Sequence, residues 1–216
     1  MDQTKPIAAL FDFDGVVMDT ETQYTIFWNK VGEIYHPEDK DFGHTIKGMT
    51  LVQIYDKYFH GMEDEQNKIT ENLNAFENHM SFNYISGAEE FMRSLKAKGV
   101  RSAIITSSNK PKMENVYAAH PELKNLVDEI LTSENFTRSK PHPDCFLLGA
   151  EVLGTIPENC VVFEDSFHGL QAGNAAGMKV IGLSTTNTAE AIRNKCHLVI
   201  NDFCKFTYED MMNVLD

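Results

Sequence analysis

The chain is short of basic residues: 216 positions hold 19 Lys and Arg against 32 Asp and Glu, a formal charge of −13. Nucleic acids and anionic membranes are bound through clustered cations, so neither is the expected main partner. A phosphate substrate stays open, because one well-placed Lys and a metal ion can make a local positive site in an acidic protein. The four cysteines (Cys145, Cys160, Cys196 and Cys204) have no CxxC or zinc-ligand spacing. Reduced thiols are therefore expected, and Cys160, which opens an apolar run, is expected to be buried. The eight histidines form no HxH or HExxH pair, which removes the usual zinc signature. GxxxxGK[ST] and GxGxxG loops are missing too, and with them the nucleotide-hydrolase and dinucleotide readings. No long hydrophobic run occurs, the first apolar stretch being broken by Asp12 and Asp14. No signal peptide or membrane span is expected, and a cytoplasmic location follows by default.

What is present is the composition of a globular protein, 42% hydrophobic and 24% charged, long enough for a core plus a small insert. Apolar, β-prone runs recur at 7–13, 100–106, 160–163, 179–183 and 198–200, and helical patterns lie between them. Positions 88–98 set Phe91, Met92 and Leu95 on one face and stop at Gly99. Positions 143–153 open on Pro and Asp and carry Phe146, Leu147, Ala150 and Leu153 at helical spacing. Strands alternating with helices predict an α/β fold, a parallel sheet covered on both faces. The stretch 19–82 has no convincing strand, but amphipathic segments at 25–34, 51–59 and 64–80. It reads as a helical domain (19–82) inserted into an α/β core formed by 1–18 and 83–216.

Two pairs of carboxylates stand at predicted strand ends. Asp12 and Asp14 close the first run, and residues two apart in a strand share a face. Glu164 and Asp165 close the run Val161-Val162-Phe163 and precede a small-residue stretch containing Gly169, Ala172 and Gly173. Ligands bind at the carboxyl ends of strands in open α/β sheets. A like-charged pair ~4 Å apart costs about 4 kcal/mol at an effective dielectric near 20, so such a cluster calls for a cation. Hard oxygen ligands in small number suit Mg²⁺. Thr106-Ser107-Ser108 offers hydroxyls and N–H groups at another strand end. Lys140 sits in Ser139-Lys140-Pro141-His142-Pro143, a loop stiffened by proline. Tyr24, Phe27 and Trp28 form an aromatic stripe that reads as helical core.

In this order, Asp-x-Asp-Gly-Val, a strand ending in Thr-Ser, Lys-Pro before a helix and Glu-Asp-Ser with a Gly- and Ala-rich sequel resemble the haloacid dehalogenase superfamily. Within it they resemble the β-phosphoglucomutase-like phosphatases with a helical cap. The resemblance runs from Asp12 to Gly177. It implies a Rossmann-like core, a helical-bundle cap and a Mg²⁺-dependent phosphotransferase. Asp12 would be the nucleophile, Asp14 the general acid and base, and Lys140 the charge-balancing cation. Thr106, the N–H of Ser107, Thr20 and the cap residue Lys47 would contact substrate or phosphate. The metal would be held by Asp12, Asp14 through its carbonyl, Asp165 and Glu164. The expected substrate is a small phosphorylated metabolite such as a sugar phosphate, and the expected state a monomer. Dehalogenases and phosphonoacetaldehyde hydrolases lack the second Asp, so Asp14 disfavours both. A sugar-phosphate mutase is the alternative to a phosphatase. Lys47-Gly48-Met49-Thr50 resembles the mutase cap loop, but Leu51 stands where the mutase has an Arg, and Tyr24 where it has a His. A catalytically silent binding protein of the same fold is the third reading.

Overall fold

The computed structural model of the chain describes residues 6–215. Six strands, β1 (Ala8–Phe11), β2 (Arg101–Ile105), β3 (Glu129–Leu131), β4 (Cys160–Glu164), β5 (Lys179–Leu183) and β6 (Leu198–Ile200), form one sheet in the order β3-β2-β1-β4-β5-β6. Every neighbouring pair is parallel. The helices are α1 (Glu21–Tyr35), α2 (Phe42–Thr45), α3 (Leu51–Tyr58), α4 (Glu63–Glu77) and α5 (Ala88–Ala97), then α6 (Lys110–Ala119), α7 (Asp144–Val152), α8 (Phe167–Ala175), α9 (Ala189–Ile192) and α10 (Tyr208–Leu215).

Strand alternation sorts the core into two layers. Ala9, Phe11, Val161 and Phe163 face one side, packing with Phe91 of α5 and Met211 of α10. Ala8, Leu10, Cys160 and Val162 face the other, with Phe146 of α7 and Leu170 of α8. Because both faces are covered, the central strands are continuous apolar runs, which is how the sequence displays them. Between β1 and α5, helices α1 to α4 enclose a separate apolar cluster around Trp28, Phe42, Phe59 and Leu73.

Three local features depart from the sequence expectation. β1 ends at Phe11, and the chain turns at Gly15, whose φ of +76° lies in the left-handed region. The edge strand β3 was not anticipated; it has three residues, and Glu129 is exposed. Helix α6 was not anticipated either. Asn109 caps it by accepting from the Lys112 N–H at 3.0 Å, and Pro111 sits in its first turn.

Candidate active site

The strand order reverses between β1 and β4: the chain runs from β1 out to β3, then returns beside β1 and runs out to β6. The carboxyl ends of β1 and β4 therefore flank the switch point, where two diverging connections leave a crevice. Asp12 follows β1, its N–H donating to the Phe163 carbonyl at 2.9 Å, while Glu164 ends β4 and Asp165 follows it.

Lys140 is 2% exposed and joins the two strand ends. Its Nζ donates to Asp12 Oδ1 at 2.5 Å and to Glu164 Oε1 at 2.6 Å. Burial opposes its charge, but Asp12 and Glu164 outweigh burial and hold the ammonium above the usual lysine range. The second oxygen of Glu164 accepts from the N–H groups of Asp165 and Ser166, at 2.8 and 2.9 Å, and from the Ser166 hydroxyl at 3.1 Å. Space for that carboxylate depends on Gly169, where an added Cβ would lie 1.7 Å from Glu164 Oε1.

Asp14 does not join Asp12, because the alternation that would put them on one face stops when β1 ends at Phe11. It turns instead to Lys112, whose Nζ donates to both carboxylate oxygens at 2.6 and 2.7 Å. The Ser108 hydroxyl donates to Asp14 at 2.8 Å, and the Thr20 hydroxyl donates to it as well. Burial would raise this carboxyl, yet Lys112 and the hydrogen bonds of Thr20 and Ser108 hold it below its ordinary value. Lys112 is itself buried and lies 4.4 Å from the ring centre of Tyr24, whose hydroxyl donates to Glu77 at 2.8 Å. Sequence reasoning missed Lys112, since α6, which carries it, has only a short Asn-Lys-Pro signal.

Asp12, Glu164 and Asp165 each offer a carboxylate oxygen within 4.8 Å of the others. Burial raises Asp12 to about 8, with Lys140 opposing and Glu164 adding to the effect. Burial, then Glu164, Glu21 and Asp12, push Asp165 well above the carboxylate range. Asp12 Oδ2 and Asp165 Oδ1 accept no hydrogen bond among the described residues. Two crowded, incompletely partnered hard oxygens fit a small divalent cation such as Mg²⁺. Glu164 fits less well as a direct ligand, because Lys140 and three donors already occupy its two oxygens. Gly15 makes room here too: an added Cβ would lie 2.0 Å from Asp165 Oδ2.

The remaining expected residues divide. Thr106 is fully buried, and its hydroxyl accepts from the Ser108 N–H at 3.0 Å. The Ser107 hydroxyl is buried without a hydrogen-bond partner among the described residues, a donor that a phosphate oxygen could satisfy. Thr20, expected to contact phosphate, donates to Asp14. Lys47 forms an ion pair with Glu21 at 3.2 Å, and both line a cavity of about 770 Å³. That cavity reaches Asp12, Asp14, Ser107 and Asp165 below and Leu51 and Met49 above. Tyr24 and Trp28 of the aromatic stripe also line it, while all three stripe residues pack in the helical cluster.

The chain is similar in sequence and fold to several known proteins. A phosphorylated carbohydrates phosphatase of Thermotoga maritima is 30% identical over 187 residues, covering 81% of this chain and 83% of that one. A β-phosphoglucomutase of Bacillus subtilis is 25% identical over 190 residues, covering 82% of each. The crystal structure of an HAD hydrolase, family IA, variant 3, from Entamoeba histolytica matches with a TM-score of 0.84 at 23% identity, covering 97% of this chain and 99% of that one. Two longer Arabidopsis thaliana proteins match in part, the chain spanning 33% of the length of one and 11% of the other. The model of the haloacid dehalogenase-like hydrolases matches residues 9–183, from the first strand through both pairs of carboxylates to the end of β5, and the chain belongs to that family.

Proposed function

We propose that the chain is a Mg²⁺-dependent phosphatase that hydrolyses a small phosphorylated metabolite through an aspartyl-phosphate on Asp12. The observation that carries this reading is the Lys140 bridge, which holds the Asp12 carboxylate at the floor of the cavity at 2.5 Å. An Asp12 oxygen attacks phosphorus, an acyl-phosphate bond forms, and the ester O–P bond breaks. Asp14 gives its proton to the leaving oxygen, then takes one from the water that attacks the acyl-phosphate and releases inorganic phosphate. In the described arrangement Lys112 favours the ionised, proton-accepting form of Asp14, so donation to the leaving group requires that ion pair to loosen. Lys140 balances the charge around Asp12, and the Ser107 hydroxyl and N–H are suited to the transferring oxygens. Mg²⁺, when held by Asp12, Asp165 and the Asp14 carbonyl, supplies charge neutralisation between the carboxylates and the phosphate.

The Thermotoga phosphatase supports a phosphorylated carbohydrate as the substrate class. The helical segment 19–82 serves as the cap in this reading, with Lys47 as its contribution to the site. The test is release of phosphate from sugar phosphates with and without EDTA, with glucose 6-phosphate quantified separately when β-glucose 1-phosphate and its 1,6-bisphosphate are supplied. Release that EDTA abolishes supports the phosphatase. Isomerisation with little release would replace it by a mutase.

A further inference from the structure

We infer that the cap-side part of the cavity accepts only an uncharged, hydroxylated leaving group, and that the Glu21–Lys47 ion pair excludes a second anionic substituent. This rests on the phosphatase reading and concerns the end of the substrate remote from the transferred phosphate.

Each Lys and Arg lining the cavity is paired to a carboxylate. Lys140 is held by Asp12 and Glu164, and Lys112 by both oxygens of Asp14. Arg138 makes a two-point contact with Asp144 at 2.7 and 2.8 Å. Lys47 is the one that belongs to the loop above the crevice, and Glu21, the first residue of α1, takes it at 3.2 Å. The pair is well shielded, with side-chain exposures of 13% and 18%. Water therefore screens it weakly, and an incoming anion would have to displace Glu21 to gain Lys47.

Two further lining groups bring negative charge of their own. Glu77 and Glu134 both face the cavity and are partnered by neutral donors: the Tyr24 hydroxyl for Glu77, and the Thr132 hydroxyl and Lys110 N–H for Glu134. The upper wall is apolar at Met49 and Leu51, and Phe136 continues it from the core. Thr137, Ser139 and Asn109 add uncharged hydrogen-bonding groups. Apolar surface with neutral donors and acceptors suits the carbon face and hydroxyls of a polyol or sugar. A carboxylate or second phosphate there would meet fixed negative charge and no unpaired Lys or Arg among the described residues.

The loop is fixed in this relation to the core. The Lys47 carbonyl lies 3.3 Å from His168 Nδ1, and Gln53 donates to the Lys140 carbonyl at 3.1 Å. A Cβ on Gly48 would lie 2.8 Å from the Ser166 hydroxyl. The ion pair thus forms with the loop seated against the catalytic turns.

The test is competition against p-nitrophenyl phosphate hydrolysis in Mg²⁺, which reads affinity whether or not a competitor is turned over. Glucitol 6-phosphate, gluconate 6-phosphate and glucose 1,6-bisphosphate present a neutral, a carboxylate and a phosphate remote group. For the unaltered chain the inhibition constant of glucitol 6-phosphate should be about tenfold or more below those of the two competitors with an anionic remote group. In Glu21→Gln, which frees Lys47 and removes a negative charge, that ratio should shrink at least threefold. Glu21→Asp, which keeps the charge, should retain most of it. Equal affinity for all three competitors, or a ratio unmoved by Glu21→Gln, would overturn the inference while leaving p-nitrophenyl phosphate hydrolysis intact. Failure to hydrolyse p-nitrophenyl phosphate and every sugar phosphate would instead remove the phosphatase reading, and this inference with it.

Discussion

Asp12 and Asp14 stand two positions apart in surroundings that push them in opposite directions. Burial drives Asp12 up to about 8, whereas Lys112 and the hydrogen bonds of Thr20 and Ser108 hold Asp14 below its ordinary value despite burial. In the metal-free chain the folded state therefore binds a proton at Asp12 that the unfolded state, near 3.8, does not hold between those two values. This group's contribution to stability falls as pH rises across that window. A cation that displaces the proton reverses the loss, so the rise in Tm on adding Mg²⁺ should be larger at about pH 8 than at about pH 5.5. A rise independent of pH would separate the metal from Asp12. Lys112 gives a second prediction at this scale. Lys112→Met should lower kcat roughly 10–100-fold, less than the ~10²–10⁴-fold that a general acid or base itself contributes, with partial recovery in Lys112→Arg and little change in the circular dichroism spectrum. Unchanged kcat in Lys112→Met would make the lysine a structural counter-ion only.

Secondary-structure elements decide which of these side chains meet. Gly15 turns the chain between β1 and α1 at φ +76°, and a Cβ there would strike Asp165 Oδ2 at 2.0 Å. Gly99, at φ +72° with no atom within 4 Å of an added Cβ, is the internal control. Placing Ala in left-handed backbone costs roughly 1–2 kcal/mol, a Tm loss of about 2–8 °C for a chain of this size. Both Gly15→Ala and Gly99→Ala should show a loss of that order, but only Gly15→Ala should weaken Mg²⁺ binding, measured by titration calorimetry. Equal Mg²⁺ affinity in the two variants would show that Asp165 needs no such space. The legibility of the sequence divides along the same elements. β1, β2, β4 and β5 are largely buried strands whose apolar runs could be read directly, as could the three apolar residues of the edge strand β6 and the carboxylates that interrupt the runs. β3 offers only Ile130 and Leu131 after a charged residue, too few apolar positions for a pattern. Asn109-Lys110-Pro111 reads as a turn as readily as a helix start, so α6 and its Lys112 were invisible. Only the folded chain brings Lys112 to Asp14, 98 positions away. Thr20 was placed near the right turn, yet its partner is the Asp14 carboxylate, which no spacing reveals.

At the scale of the whole molecule, the helical segment and the sheet share one cavity, and their contacts lie beside the catalytic turns. Lys47 to Glu21, Gln53 to the Lys140 carbonyl and His168 to the Lys47 carbonyl tie the loop before α3 to both. Lys47→Ala should raise KM or lower turnover on sugar phosphates while leaving the circular dichroism spectrum unchanged. Unchanged kinetics would remove Lys47 from substrate binding. Among the described residues no helix is long and apolar enough to cross a membrane. Helices α1, α3 and α4 were legible in the sequence as amphipathic segments, on which the proposed helical insertion 19–82 rests. Its seating on the core was not visible, since long-range pairs such as Gln53 with Lys140, 87 positions apart, leave no local trace.

The most direct test of the central claim is acid-quenched phosphoryl labelling of the protein during turnover of a sugar phosphate with Mg²⁺, read by mass spectrometry of the peptide that contains Asp12. The proposed mechanism predicts a hydroxylamine-labile phosphoryl group on that peptide, and loss of both the label and phosphate release in Asp12→Asn. Full phosphate release by Asp12→Asn, or a label that maps to another residue, would contradict it.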